Sequence, residues 1–248
     1  MTGKTTEQID RSNLREMIQE KLDDDEFWMR ISGNDIESAK SLGQSLMDDD
    51  CHLDRLLVAR NFDPEATVAL FWEQVEFRAK YKPDHISPED IPVALPSGAW
   101  RCCGFRKDGQ VISNYKLEHW NPQEYDDDID KAMEEYTLYV CYFVELMLRC
   151  GKDANARFSL IFDLNGFYYG MVTQEKVRRM IARLIYVAQA QYPERLGRVY
   201  LVNAPCTYHT SKCRSPCFCW PLTIVSLLSW VLNSLESHPG TLRRQDGF

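Results

Sequence analysis

The chain has 248 residues, 44% of them hydrophobic and 27% charged, which is the composition of an ordinary globular protein. Its formal net charge of -8 argues against indiscriminate binding to nucleic acid. The polar start MTGKTTEQIDRSNLREMIQE predicts no signal peptide, and the longest apolar run, PLTIVSLLSWVL, is shorter than the roughly 20 residues of a membrane span. We therefore expect a cytoplasmic protein with reduced cysteines.

The first third of the chain has helical periodicity. Residues 11–31 predict one amphipathic helix, because Leu14, Ile18, Leu22 and Met29 recur at helical spacing. The segments ESAKSLGQSLMDDD and HLDRLLVAR continue the helical pattern. In NFDPEATVALFWEQVEFRAKYKP, Asp63 is a predicted N-cap, with Pro64 at the first helical position. The proline-rich ISPEDIPVALPSG that follows predicts a connector.

Three acidic runs, at residues 23–25, 48–50 and 126–128, consist of consecutive aspartates. None of them has the spacing of a calcium loop. Aspartates are favoured in turns and at the positive end of a helix. We expect these runs to be solvated turns or helix N-termini, not metal sites.

Past the connector, strand-like and helical segments alternate. GQVISNYKL (109–117), RFSLIFDL (157–164) and RVYLVNA (198–204) predict strands. Residues 129–149 and 177–188 have helical spacing, and Thr173 is a predicted cap of the second helix. This β-α-β-α-β order predicts an α/β fold, in which an N-terminal helical subdomain precedes a mostly parallel sheet flanked by helices.

Motifs for catalysis or for cofactors are missing from the sequence. The turn after the first predicted strand, EHWNPQEYDDDID, has no glycine at which a dinucleotide phosphate approaches a helix. Gly3-Lys4-Thr5 lacks the strand and the leading glycine of a P-loop. A zinc site at Cys206, His209, Cys213 and Cys217 has no common spacing, so free thiols are the simpler interpretation. We expect no enzyme, cofactor or metal.

Several segments together resemble the CRAL-TRIO family, the lipid-binding domain of phosphatidylinositol-transfer, tocopherol-transfer and retinaldehyde-binding proteins. LLVARNFDPEATVALFWEQVEFRAKY resembles the family's helical signature, and FRKDGQVISNYKL its Lys-Asp-Gly hairpin and first strand. FSLIFDLNG and QYPERLGRVYLVNAP are similar to its most specific stretch. The segments follow the family order over about residues 50–205. The resemblance implies a carrier that encloses one lipid between a sheet and helical walls.

The same resemblance implies a headgroup site. In phosphoinositide-binding members, the arginine and glutamate that match Arg60 and Glu194 lie in the headgroup region, and Arg60 would pair with a phosphate. The alternative is a local role, with Arg60 in an ion pair of the helical subdomain and Glu194 in the turn after a helix. Asn61 stands where members with strong phosphatidylinositol binding usually have lysine.

Strand alternation sets a group of apolar residues on one face of the sheet, where they would line the lipid cavity or pack as ordinary core against a helix. This group consists of Phe158, Leu160, Phe162, Val199 and Leu201. Phe158 and Leu160 stand where phosphatidylcholine-binding members offer hydroxyls, which argues against a choline lipid.

The sequence after Pro205 does not resemble the family. It is cysteine-rich and then apolar, and we interpret it as a different C-terminus in place of the helix that gates the cavity. Its segment 222–232 would cover exposed apolar surface or lie on a membrane as a short amphipathic helix. The predicted division is a helical subdomain and connector at 1–95, a partial lipid-binding domain at 96–205 and a divergent tail at 206–248.

The leading hypothesis is an intracellular protein that binds or transfers a phosphoinositide or another hydrophobic lipid, touches membranes transiently and does not bind nucleic acid. A defective gate would impair lipid exchange. The alternative is a CRAL-TRIO-like scaffold that binds a protein partner without exchanging lipid.

Overall fold

The computed structural model describes residues 11–32, 35–151 and 156–203, in which a group of helices precedes a four-stranded sheet with its own flanking helices. The helical part consists of α1 (Arg11–Leu22), α2 (Asp25–Ser32), α3 (Ile36–Asp48), α4 (Asp50–Ala59) and α5 (Pro64–Tyr81). The sheet part contains β1 (Trp100–Phe105), β2 (Val111–Lys116), α6 (Ile129–Cys150), β3 (Phe158–Asp163), α7 (Tyr169–Thr173), α8 (Glu175–Tyr186) and β4 (Leu196–Val202). A π-helical turn, Val187–Gln191, follows α8, and short 3-10 turns occupy Pro83–His85, Pro88–Asp90, Leu117–His119 and Pro122–Glu124. The predicted fold class is confirmed.

The prediction of one helix over residues 11–31 is wrong, because α1 ends at Leu22. The carboxylate of Asp24 accepts the backbone N–H groups of Glu26 at 3.0 Å and Phe27 at 3.2 Å. An aspartate that binds the backbone in this way starts a new helix and ends the previous one. The first acidic run is therefore a turn and a helix start, as expected.

The start of α5 is as predicted. Asp63 accepts the N–H of Ala66 at 3.0 Å, and Pro64 occupies the first helical position. The helical part buries a cluster of aromatic rings that meet edge to face, with centroids 4.8 to 5.7 Å apart. These rings belong to Phe27, Trp28, Phe71 and Trp72.

The sheet has the order β1-β2-β3-β4, with β1 antiparallel to β2 and the other neighbours parallel. The three predicted strands correspond to β2, β3 and β4. Periodicity did not predict β1, because its side chains from Arg101 to Cys103 are all exposed and give no alternation. The β1–β2 hairpin that the resemblance implied is present, and Gly109 turns it with a φ of 84°, which favours glycine.

One face of the sheet packs against α6. The Trp100 ring stacks on the Phe143 ring of α6, with 5.4 Å between the ring centroids. The Tyr115 ring stacks on the Phe162 ring of β3, with 5.0 Å between the centroids. The hydroxyl of Tyr139 accepts the N–H of Trp100 at 3.0 Å. The start of α6 is fixed by Asp128, which accepts the N–H groups of Asp130 and Lys131. The third acidic run is thus a helix N-terminus, as expected.

The predicted cap of α8 is wrong. Thr173 is the last residue of α7, and its hydroxyl donates to the carbonyl of Gly170 at 2.8 Å. The N-cap is Gln174, whose side chain makes no capping hydrogen bond. Propensity placed the cap one residue early because α7, a helix of five residues, has no periodic signal of its own.

Five cysteines fall in the described part of the chain, and none of them forms a disulfide there: Cys51, Cys102, Cys103, Cys141 and Cys150. Over the same residues, no helix is both long and apolar enough to cross a membrane. The alternative zinc site and the divergent C-terminus, with its segment 222–232, lie outside the described residues.

Candidate functional site

The turn before β4 is built on unusual backbone geometry. The π-helical turn is closed by the side chain of Gln191, whose Nε2 donates to the Tyr186 hydroxyl at 2.9 Å. Glu194 then adopts a left-handed conformation, with a φ of 59°. Arg195 N–H donates to the Tyr192 carbonyl at 3.3 Å, which closes the turn as β4 begins. π-Helical turns and left-handed residues occur frequently at functional sites.

Glu194 lies at the rim of this turn. Its carboxylate forms an ion pair of 2.9 Å with Arg157, the residue before β3. Both side chains are partly exposed, at 34% for Glu194 and 49% for Arg157, so the pair contributes little to stability. The position in a turn after a helix matches the local role that was the alternative for Glu194, and the carboxylate remains accessible.

Arg60 caps the C-terminus of α4. Its backbone N–H donates to the carbonyls of Leu56 and Leu57, and its side chain is half-buried. The two residues after it, Asn61 and Phe62, both have left-handed backbones, with φ of 51° and 61°. No hydrogen bond or ion pair joins the Arg60 guanidinium to any described residue, so the alternative of a local ion pair is not realised there. Arg60 and Glu194 therefore form no hydrogen bond or ion pair with each other.

Arg195, the residue after Glu194, belongs to a group that sequence reasoning missed. Three arginines and a histidine, which we call the cationic cluster, lie close enough that their charges affect one another: His52, Arg55, Arg78 and Arg195. Burial, and then the charge of Arg55, lowers the pKa of Arg195 to about 10. Burial, and then Arg55 and Arg78, lowers the pKa of His52 to about 3, so this histidine is neutral at physiological pH.

The carboxylates around the cationic cluster are unevenly buried. Asp49 lies 3.7 Å from Arg55, and Asp84 lies 3.7 Å from Arg78, but their side chains are 47% and 61% exposed. Glu145, by contrast, is buried and lies 3.3 Å from Arg78. The exposed carboxylates are screened by water, so the cluster offers positive charge to an anion that reaches it.

The predicted apolar group does share one face of the sheet. Leu160 is registered with Val199 and Phe162 with Leu201 across the parallel β3–β4 pair. Phe158, Leu160 and Leu201 are 2%, 7% and 6% exposed within the core that also contains α6. Phe162 and Val199 are partly buried against it. The face lies against the helix, which agrees with the core alternative and leaves a lining role for lipid as a prediction.

A separate cavity of about 530 Å³ lies between α3, the end of α5 and the turn that follows. Its lining includes Asp35, Ser38, Leu42, Arg78, Lys82 and Asp84. Lys82 pairs with Asp35 at 3.5 Å, and Arg78 pairs with Asp84. Lys82 and Arg78 thus each have a carboxylate partner in this cavity, which does not coincide with the apolar sheet face.

The sheet part is similar to a known protein family. Residues 97–211 match the family model of the CRAL/TRIO domain. This part of the chain is thus similar to the CRAL/TRIO domain. The matched range includes all four strands and extends slightly beyond Pro205, whereas helices α1 to α5 precede it.

Two known proteins are also similar to this chain. Protein real-time of Aedes aegypti is 26% identical over 163 residues, which are 61% of this chain and 24% of that protein. The chain thus spans about a quarter of the length of this curated relative. The crystal structure of Sfh5 matches with a TM-score of 0.51 and 14% identity, and the match covers 76% of this chain and 59% of that one. At this identity, the likeness shows the fold alone.

Proposed function

We propose that this protein binds one lipid through its CRAL/TRIO domain and carries it between membranes without catalysing a reaction. The observation that carries the proposal is the cationic cluster at the start of β4, the strand whose apolar side chains share a face with those of β3. Acyl chains would gain about 25 cal/mol per Å² of apolar surface removed from water where they meet Phe162 and Val199, the partly buried residues of that face. The positive charge of the cluster would attract the phosphate of the headgroup.

In this proposal, the headgroup contacts are divided between Arg60 and Glu194. Arg60 has no described partner, so its guanidinium is available to a phosphate. Glu194 would exchange its exposed pair with Arg157 for hydroxyl donors of the headgroup. A phosphoinositide offers both a phosphate and ring hydroxyls, whereas a choline headgroup offers no hydroxyl donor. The ligand we infer is therefore a phosphoinositide-like lipid or another hydrophobic molecule.

The domain limits and location belong to the same proposal. Residues 1–95 would form the helical wall and connector, and residues 96–205 the lipid-binding layer. The protein would work in the cytoplasm and meet membranes only while it loads or releases lipid. The hypothesis of a gate replaced by residues 206–248 concerns a segment outside the described residues; a transcript with a family-like continuation in the same reading frame would contradict it.

Native mass spectrometry of freshly purified protein tests the proposal. We expect one lipid per chain in the wild type, and loss or exchange of that lipid in Arg60→Ala and Glu194→Ala. Arg179→Ala is the matched control, because Arg179 is an exposed arginine that pairs with Glu175 on α8. Unchanged lipid occupancy and identity in the first two variants would contradict the headgroup assignment.

The second candidate function is a scaffold that binds a protein partner without lipid exchange. The packing of Phe158, Leu160 and Leu201 against the core favours it, because this face is filled by the protein's own side chains. A stably folded wild type that carries no lipid and takes none up from vesicles would support the scaffold over the carrier.

A further inference from the structure

A buried ionic group lies where the helical part, α6 and the turn before β4 meet. Of the carboxylates in the described ranges, Glu145 of α6 is the one that is buried, at 7% exposure. Its Oε1 accepts a hydrogen bond from the Tyr192 hydroxyl at 2.8 Å and lies 3.3 Å from Nη2 of Arg78 on α5. Burying a carboxylate is costly unless such partners compensate for its lost hydration, so the arrangement strongly constrains all three side chains.

Tyr192 connects this group to the backbone of the turn. The Arg78 guanidinium lies 5.4 Å from the centre of the Tyr192 ring, so the ring is held by a cation as well as by its hydroxyl. Burial raises the pKa of Tyr192 well above its ordinary value, which keeps the hydroxyl protonated as a donor. The Tyr192 carbonyl in turn accepts the N–H of Arg195.

The turn is therefore anchored at both ends. At its start, Tyr192 is bound to Glu145, and at its end the Arg195 carbonyl accepts the N–H of Phe158 on β3 at 2.9 Å. Between these anchors lie the buried Pro193, whose ring fixes φ, and Glu194, whose backbone is left-handed. Little freedom remains in the backbone that directs the Glu194 and Arg195 side chains.

Helix α5 contacts the same segment one turn earlier. Gln74 Nε2 donates to the carbonyl of Ala190 in the π-helical turn at 2.5 Å, and Gln74 is buried. Gln74 and Arg78 are four residues apart and so lie on the same side of α5. The helical part thus holds the turn at two successive points.

We propose that Glu145 is a positioning residue: through the Tyr192 hydroxyl, it sets the directions in which Glu194 and Arg195 face a lipid headgroup. The consequence for lipid binding rests on the proposed function. The geometric claim concerns the turn itself and is testable on lipid-free protein.

Tyr192→Phe is the sharpest variant, because it removes one oxygen and leaves the ring beside Arg78. Its matched control is Tyr136→Phe, which removes a buried hydroxyl from α6 that lies 3.4 Å from the Tyr115 hydroxyl, away from the turn. In the lipid-free protein, we expect Tyr192→Phe to speed amide hydrogen exchange at Arg195 and Phe158 by about tenfold, and the control to leave both rates unchanged.

The lipid measurement compares uptake of fluorescent phosphatidylinositol and fluorescent diacylglycerol from vesicles. Tyr192→Phe should weaken phosphatidylinositol binding by about tenfold, whereas diacylglycerol, which lacks the headgroup, should change by less than about twofold. A general loss of stability would instead weaken both in parallel. Adding Glu145→Gln to Tyr192→Phe should speed the exchange at Arg195 no further, because the hydroxyl acts through that carboxylate.

Unchanged exchange at Arg195 and Phe158 in Tyr192→Phe would overturn the positioning role, and so would a parallel loss of affinity for the two lipids. A wild type that takes up neither lipid would overturn the proposed function instead. The exchange measurement would then still decide whether Glu145 fixes the turn.

Discussion

The helical part and the sheet part bury their aromatic side chains differently. In the helical part, tryptophan and phenylalanine rings meet edge to face, and the polar atom of Trp28 is bound locally by the Leu22 carbonyl at 2.9 Å. In the sheet part, tyrosine hydroxyls lie inside the core and bind one another or the backbone over long sequence separations. Both cores thus join residues that are distant in sequence, but the sheet core also encloses tyrosine hydroxyls.

The difference shows where a polar ligand site can form. Among the described residues, the buried carboxylate lies at the junction between the two cores, where Glu145 pairs with Arg78 and the charge of Arg78 acts on His52. Ala190 of the π-helical turn packs into the helical core, and Tyr192 two residues later packs into the sheet core. The candidate headgroup site is a property of this junction, and neither part would form it alone.

The largest expected effect comes from removing one tryptophan from each core. Trp28→Ala and Trp100→Ala should each lower the free energy of unfolding by about 3–5 kcal/mol, because both rings are buried and leave large cavities. Because the ring contacts of Trp28 are with Phe27 and Trp72, its loss should reduce hydrogen-exchange protection in α1 to α5 more than in β2 and β3.

Denaturation in urea measures the first effect, and exchange resolved by residue measures the second. Met29→Ala is the control, since the Met29 side chain is 62% exposed and its loss should change stability by less than about 0.5 kcal/mol. Equal loss of protection in both parts for both tryptophan variants would mean that the two cores unfold as one unit.

Through His52, the junction should make the stability of the protein depend on pH. His52 has a pKa of about 3 in the folded protein, lowered mainly by burial, against an ordinary value of 6.5. Between these values, the unfolded state binds more protons, so stability falls as the pH decreases from 6.5 towards 3. When the pH falls from 7 to 5, the free energy of unfolding should decrease by about 2 kcal/mol more in the wild type than in His52→Leu.

Urea denaturation of the two proteins at both pH values provides this measurement. Aspartates and glutamates titrate in both proteins, so their contribution cancels in the difference. His85→Leu serves as a second control outside the cationic cluster. If the wild type and His52→Leu showed the same dependence on pH, the histidine would not be held neutral at the junction.

The smallest expected effects come from the helix caps, one in each part. Asp63→Ala and Asp128→Ala should each lower the free energy of unfolding by about 1 kcal/mol. Each substitution removes the carboxylate that accepts backbone N–H groups at the start of α5 or α6. The exposed neighbour Asp127 supplies the control variant Asp127→Ala, with an expected change below about 0.5 kcal/mol. If substituting either cap left the free energy of unfolding unchanged, packing alone would fix the start of that helix.

Much of the architecture was predictable, because local chemistry encodes it. The Asp63-Pro64 start, the helical spacing of α6 and the apolar run of β3 each lie within one segment, and each prediction is confirmed. The predictions were wrong or incomplete where packing or hydrogen bonding outweighed the local sequence pattern. Asp24 splits the first predicted helix, α7 displaces the cap from Thr173, and β1 is recognisable only by its pairing with β2.

The candidate site could be predicted only in part. The resemblance put forward Arg60 and Glu194, but the cationic cluster and Glu145 carry no signal of their own in the sequence. Glu145 and Tyr192 are 47 positions apart, and Arg78 and Glu145 are 67 apart. The periodicity that determines a helix or a strand acts over a few residues, so the sequence by itself determined the elements and the family resemblance. Contacts over such separations exist only once the chain has closed its sheet, and the tertiary structure therefore decided which charges are buried together and which face the solvent.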